Sequence, residues 1–142
     1  MDINSINFTD KVKEVFTLSA ELSNSNKNKY IDTVHILSSI INTSCLGKTL
    51  LGDSNIDIVQ LKNILTKEIN SVPVSNNSNN KIEITSSLAQ ALKNAECEAK
   101  KLGDSYVATD LISIAILEDK IKSNSFNIDI NISDLKKSVD NN

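Results

Sequence analysis

The side chains of this chain that could do chemistry are few and scattered. His35 is the single histidine, and the two cysteines, Cys45 and Cys97, lie on separate predicted helices without C-x-x-C spacing. One imidazole and two distant thiols do not provide the ligands that a metal ion needs, so no metal site is predicted. No serine or cysteine with an acidic partner can be placed beside His35, and a lone histidine next to an apolar helix face is more often a hydrogen-bonded core residue. No catalytic residue is therefore expected.

Charge and composition exclude several further classes of function. The chain has 15 Lys and Arg against 18 Asp and Glu, a net charge of −3, and its lysines form no stripe, so nucleic acid is not an expected partner. A small DNA-binding regulator would need a basic recognition helix, but the helices expected after Thr33 and Thr109 contain no Lys or Arg before Lys48 and Lys120. No apolar run approaches the roughly 18–20 residues that span a bilayer, and the first residues, MDINSINFTD, have neither the basic nor the apolar region expected of a signal sequence. No membrane partner and a cytoplasmic location are expected.

The sequence repeats itself at a fixed distance, so these residues can be assigned to equivalent positions in two copies. Five residues recur 76 positions later (109 − 33), and three more recur in kind. The identical pairs are Thr9 and Thr85, Tyr30 and Tyr106, Thr33 and Thr109, Ile36 and Ile112, and Ile40 and Ile116; the similar pairs are Val12 and Leu88, Phe16 and Leu92, and Ile31 and Val107. Self-similarity at a fixed spacing indicates two copies of one supersecondary unit, neither of which buries its apolar face alone. The two copies are expected to pack against each other.

Hydrophobic periodicity predicts an all-α fold with four helices in each copy, about eight in all. Thr9, Thr33, Thr85 and Thr109 are expected to cap helices, because threonine hydroxyls accept hydrogen bonds from the free N–H groups of a first turn. Further helices are expected over 46–51 and 58–69 in the first copy and over 121–126 and 132–139 in the second. The domain prediction is one domain over 1–142, with repeat 1 at 8–71, repeat 2 at 82–140 and a polar connector at 72–81.

Three segments carry a resemblance to a known family. They are FTDKVKEVFTLSAE near the start, YIDTVHIL in the first copy and AKKLGDSYVATDLISIAIL in the second. They resemble the amino-terminal (Clp N repeat) domain of the Clp unfoldases, most closely the ClpC type, whose signatures read approximately F-T-x-x-A-x-x-V-L-x-x-A and L-G-H-x-Y-V-G-T-E-H-I-L-L-G. The resemblance extends from Phe8 to Val139 and has no gap over 8–41 and 84–117. It implies two pseudo-symmetric four-helix repeats, as the periodicity does.

The resemblance implies a recognition module and not a catalyst. In the family this domain sits on an ATP-driven AAA+ hexamer, receives adaptor proteins, substrates and their degrons, and passes them on to the pore and to a Clp protease. The chain contains no Gly-x-x-x-x-Gly-Lys-[Ser/Thr], so no cofactor is expected here and ATP would be bound only by attached AAA+ modules. The alternative is a stand-alone scaffold that binds adaptors without a motor, and the length of the native open reading frame would separate the two. The isolated domain is expected to be a monomer, because the family hexamerises through its motor modules.

The resemblance also implies a binding site for phosphorylated arginine. In the ClpC type an acidic residue directly after the threonine of each signature pairs with the guanidinium, while N–H groups at a nearby helix start bind the phosphate. Asp110 has this position in the second copy, one methylene shorter than the family's Glu, whereas the first copy has the uncharged Val34. A single site is therefore expected, with Thr9, Thr85 and Thr109 as its phosphate-side candidates.

Each of these positions also has a structural interpretation. Asp110 can stabilise its own helix by about 0.3–1 kcal/mol through the helix dipole and bind nothing. Phe8 and Ile84 could line an apolar groove for partner proteins, but Phe8 could equally staple the first turns of its helix. Tyr30 and Tyr106 are interpreted first as packing residues between helices.

Overall fold

Helices dominate the computed structural model, which describes residues 5–75 and 83–140. Its elements are α1 (Asp10–Ser25), β1 (Tyr30–Ile31), α2 (Thr33–Ile41), α3 (Leu46–Asp53), α4 (Ile58–Asn70), β2 (Glu83–Ile84), α5 (Ser86–Lys101), α6 (Thr109–Lys122) and α7 (Ile132–Asp140). The all-α fold predicted from the periodicity is confirmed, with seven helices in the described residues. None of them is long and apolar enough to cross a membrane.

The two copies are joined by an exchange of short extended segments. β1 pairs in parallel with β2, so that Ile31 lies beside Ile84, and Phe8 forms the equivalent parallel bridge with Val107. The hydrogen bonds repeat as well, because Thr9 N donates to Val107 O at 3.1 Å and Thr85 N donates to Ile31 O at 3.1 Å. In each copy the residues before the first helix therefore lie beside the residues before the second helix of the other copy.

The central helices of the core are α2 and α6, the second helix of each copy. α2 buries eight of its nine residues, and α6 buries most of its first nine. α1 packs against α2, α5 packs against α6, and α2 and α6 also contact each other. One apolar cluster runs through both copies, as expected for units that cannot bury their apolar faces separately.

The separate helix expected over 121–126 is not formed in the second copy. α2 ends at Ile41 and is followed by Asn-Thr-Ser-Cys, whereas α6 continues through Glu-Asp-Lys-Ile at the corresponding positions. Glu118 and Lys120 are better helix formers than Asn, Thr and Ser, and Glu118 pairs with Lys122 one turn later at 3.2 Å. The chain then turns at Asn124, which has a positive φ of 56°. The longer α6 replaces a counterpart of α3.

The four predicted threonine caps divide into two kinds. Thr9 accepts a hydrogen bond from Val12 N at 3.3 Å and Thr85 from Leu88 N at 3.2 Å, which confirms both as caps of α1 and α5. The prediction was wrong for Thr33 and Thr109, which are the first residues inside α2 and α6 and are buried. The N-cap residues there are Asp32 and Ala108, one position earlier.

The polar connector predicted at 72–81 lies partly outside the described residues. Its described beginning is tied to the turn after α1, because Lys29 N donates to Pro73 O at 2.7 Å and Ser75 N donates to Lys27 O at 2.9 Å. Val72 is buried, while Pro73 and Val74 are exposed. The repeat boundaries at 8–71 and 82–140 stay a prediction.

Candidate recognition site

The start of α2 is closed by a network of hydrogen bonds. Asp32 and His35 form a capping box, in which the Asp32 carboxylate accepts from Thr33 N at 2.7 Å and His35 Nδ1 accepts from Asp32 N at 2.9 Å. His35 Nε2 therefore carries the ring proton and donates to Asn28 Oδ1 at 2.9 Å. Burial lowers the pKa of His35, against an opposing effect of Asp32. The interpretation of His35 as a hydrogen-bonded core residue is confirmed.

The Asp32 carboxylate also reaches the other copy. Thr85 Oγ1 donates to Asp32 Oδ1 at 2.9 Å while it accepts from Leu88 N as the cap of α5. A negative charge from the first copy thus lies at the N-terminus of a helix of the second copy, where the helix dipole favours it. A phosphate at Thr85 would have to approach this carboxylate.

Thr109 joins the two copies and is not open to a ligand. Only 2% of it is exposed, and its Oγ1 accepts from Gly47 N on α3 at 2.8 Å. Ser113 Oγ donates to the carbonyl oxygen of Thr109 at 2.8 Å. A Cβ on Gly47 would come within 2.7 Å of Ile40 Cγ2 and 2.8 Å of Ser113 Oγ, so only glycine permits this approach of α3 to α6.

Asp110 differs from its first-copy counterpart in environment as well as in type. Val34 is only 1% exposed, whereas Asp110 is half-buried and accepts from Leu111 N at 2.8 Å. Burial raises the pKa of Asp110, partly offset by backbone N–H groups, and the Asp104 carboxylate raises it further. Its negative charge is therefore incompletely compensated, and a cation placed beside it would be favoured.

The cavity that Asp110 lines does not include the phosphate-side candidates. Asp110 lines a cavity of about 350 Å³ between α3, α6 and α7. The described residues around it are Leu46, Thr49, Leu50, Asp53, Asp110, Ser138 and Val139. Thr9, Thr85 and Thr109 are not among them.

A second cleft lies on the other side of α7. It has a volume of about 360 Å³, and its apolar lining includes Leu102, which follows α5, and Leu111 and Ile114 of α6. Charged residues of both signs lie around it, and Glu118 contacts Lys136 of α7 at 2.7 Å. Hydrogen bonding to Lys136 and Lys122 lowers the pKa of Glu118.

The aromatic and apolar candidates pack in different ways. Phe8 is half-buried and its ring meets Phe16 of α1 edge to face, with ring centres 5.3 Å apart. Ile84 is half-buried beside Ile31 in the strand pair. The packing interpretation was wrong for Tyr106, which is 58% exposed.

The fold and the clefts together define a class of protein: a helical domain with partly apolar clefts and, among the described residues, no group of side chains arranged for catalysis. Residues 7–126 match the family described as Clp repeat (R) N-terminal domain. The chain belongs to this family, in which the domain is a non-catalytic, regulatory part of AAA+ chaperones.

Individual relatives agree with the family assignment. The chain is 32% identical to the chaperone protein ClpB of Bacillus cereus over 124 residues, which are 84% of this chain and 14% of that ClpB. The Hsp104 N-terminal domain of Candida albicans superposes with a TM-score of 0.71 at 26% identity, covering 93% of this chain and 81% of the other. The N-domain of ClpV from Vibrio cholerae shares the fold, with a TM-score of 0.74 at 16% identity over 92% of this chain and 81% of the other. The chain thus spans about one seventh of the length of the curated relative.

Proposed function

We propose that this domain receives adaptor proteins and substrate proteins for a Clp/Hsp100 AAA+ unfoldase. The observation that carries the proposal is the pair of open clefts on either side of α7, of about 350 and 360 Å³, each with apolar lining residues. Concave sites with apolar linings and a few polar groups bind small ligands, and at protein interfaces such pockets receive anchoring side chains of the partner. Leu46, 61% exposed at one of them, adds an apolar side chain that is mostly uncovered.

A finer proposal is the ClpC type, in which the domain serves a Clp protease and binds one phosphoarginine at Asp110. The guanidinium contact is supported by the incompletely compensated charge of Asp110. The phosphate contact has weaker support, because the hydroxyls of Thr9, Thr85 and Thr109 already accept hydrogen bonds from backbone N–H groups. The curated relative described above is a ClpB and not a ClpC. The finer proposal therefore stands mainly on the sequence resemblance.

The alternative proposal is a stand-alone scaffold that binds adaptors without a motor. It uses the same clefts. The length of the native open reading frame separates the two proposals, since an attached motor would add AAA+ modules with their phosphate-binding loops.

An NMR titration of the isotope-labelled chain tests the recognition proposal. Addition of a permanently unfolded protein should shift the amide signals of residues that line the two clefts. A folded protein of similar size and charge is the control and should leave them unchanged. Absence of shifts with unfolded proteins and with adaptor-type partners would contradict the proposal.

The finer proposal needs a phosphoarginine peptide and one variant. Asp110→Ala should lower the affinity by roughly 10- to 150-fold, because it removes a charge-assisted hydrogen bond worth about 1.5–3 kcal/mol. Asp119→Ala, an exposed acid near the other end of α6, is the matched control. Equal binding by the wild type and Asp110→Ala would rule out the site.

A further inference from the structure

Two neighbouring cavities lie along one side of α7. The cavity that Asp110 lines shares Asp53 and Ser138 with a neighbouring cavity of about 420 Å³. The second cavity is formed by the end of α3, the turn after it, the segment before α7 and α7 itself. We call the two together the α3–α7 groove.

The charged residues of the α3–α7 groove all have the same sign. Among the described residues that line it, every ionisable side chain is an aspartate: Asp53, Asp110, Asp129 and Asp134. None of the ion pairs found in the described part of the chain includes one of them. By contrast, Glu118, next to the other cleft of α7, is paired with Lys122 and Lys136.

Asp53 is placed against the preference of its own helix. It is the last residue of α3, and a negative charge at a helix C-terminus is disfavoured by the helix dipole. A residue that breaks a local rule without a compensating contact is more often explained by function than by stability. The unpaired carboxylate of Asp53 and the half-buried carboxylate of Asp110 line the same cavity.

Apolar side chains also line the α3–α7 groove. Leu46 and Leu50 form one wall of the groove, and Ile130 and Val139 line it from the side of α7. A partner must therefore offer cationic groups and aliphatic surface together. Lysine and arginine do both, because their stems are apolar and their heads are charged.

We propose that the α3–α7 groove docks an unmodified basic and aliphatic segment of a partner protein, with lysine or arginine side chains at the aspartates and an aliphatic side chain on Leu46 and Leu50. This proposal rests on the proposed function, since it names the chemistry of the segment that the domain receives. Phosphorylation of the arginine would add a negatively charged phosphoryl group, which the carboxylates of the groove repel. The unmodified segment is therefore the favoured ligand. The groove proposal is thus an alternative to the phosphoarginine proposal for Asp110, and the two predict opposite orders of affinity for the modified and the unmodified peptide.

Fluorescence anisotropy with labelled peptides tests the charge preference. The probe is a short peptide that alternates arginine with leucine, and the control peptide has glutamate in place of arginine. The arginine peptide should bind and weaken as salt increases, because exposed charge contacts are screened. Its phosphoarginine form should bind more weakly. Tighter binding of the phosphorylated or the glutamate peptide would overturn the proposal.

Three single variants locate the contacts. Asp53→Asn and Asp134→Asn should each weaken binding by about 1.4- to 5-fold, the range of an exposed ion pair. Asp119→Asn removes the same charge from a position outside the groove and should leave the affinity unchanged. Asp53→Asn should leave the melting temperature unchanged or raise it, so its effect on binding would not come from misfolding. Equal affinities for the wild type and Asp53→Asn would overturn the assignment.

Amide shifts separate failure of this inference from failure of the proposed function. The arginine peptide should shift signals from residues 46–56 and 129–139. If it shifts other residues while unfolded proteins still bind, the groove assignment is wrong and the proposed function stands. If neither the peptide nor any unfolded protein binds, both are wrong.

Discussion

The starts of α2 and α6 hold equivalent positions in the two copies and use them differently. In the first copy Asp32 and His35 form a closed capping box and Val34 is buried. In the second copy Ala108 provides no side-chain cap, and Asp110 lies half-buried at a cavity. Duplication supplied two similar helix starts, of which the first is used for stability while the second keeps a charged group within reach of solvent.

The last helix is also less buried in the second copy than in the first. α4 has 13 residues and buries Leu61, Leu65 and Ile69, whereas α7 has nine and, among its described side chains, fully buries Leu135. Because α7 covers less of the core, clefts remain on both sides of it. The second copy is therefore the more open one.

The largest effect is expected from giving the first copy the acid of the second. Val34→Asp should lower the free energy of unfolding by about 3–5 kcal/mol, because an uncompensated charge would be buried where 1% of the side chain is exposed. Chemical denaturation at neutral pH measures it, with Val34→Ala as a control for lost packing. A loss below about 1 kcal/mol would show that this position can open as Asp110 does.

The contact that joins the copies gives the next effect. Gly47→Ala should destabilise the protein by about 1–3 kcal/mol, because its Cβ would overlap Ile40 and Ser113. Gly52 is on the same helix, and a Cβ there meets nothing within 4 Å. Gly52→Ala should therefore stabilise by about 0.5–1 kcal/mol. Similar melting temperatures for both variants would contradict a tight contact at Gly47.

The capping box should make stability depend on pH through His35. Its pKa is lowered in the folded state by burial, so the unfolded chain takes up a proton first as the pH falls through about 6.5. Stability should decrease below neutral pH, with a slope of at most about 1.4 kcal/mol per pH unit from this group. His35→Gln should remove that part of the slope when unfolding is measured between pH 5 and 8. An unchanged slope would mean that the imidazole is not held neutral.

The smallest effect is expected at Asp110, where the dependence of stability on pH has the opposite sign to that of His35. Its pKa is raised in the folded state, so the folded protein holds the proton longer and its stability decreases as the pH rises above the ordinary carboxyl range. Asp110→Asn should be slightly more stable than the wild type at neutral pH and equal to it at pH 3. Asp119→Asn is the control, and a destabilised Asp110→Asn would indicate a structural role for the charge.

Several structural features could be predicted from residue pattern because they depend on neighbours in sequence. Thr9 and Thr85 cap the helices that follow them, and the stripe from Leu88 to Ala99 is buried as its three- and four-residue spacing indicates. The caps at Thr33 and Thr109 were predicted wrongly by one residue. A threonine hydroxyl can cap a helix or make a tertiary contact, and the sequence pattern is the same in both cases. For Thr109 the deciding partner is Gly47, 62 residues away.

The sequence by itself determined the duplication, the helical fold, the family and the loss of one acidic position, because repeat spacing, hydrophobic period and residue identity are written along the chain. Only the tertiary structure decided that Val34 is buried, that Asp32 reaches Thr85, and that Asp53, Asp110, Asp129 and Asp134 share one groove. These facts depend on which surfaces of α3, α6 and α7 meet. That choice is made by packing of the whole core, in which burial and charge at one position depend on residues distant in sequence.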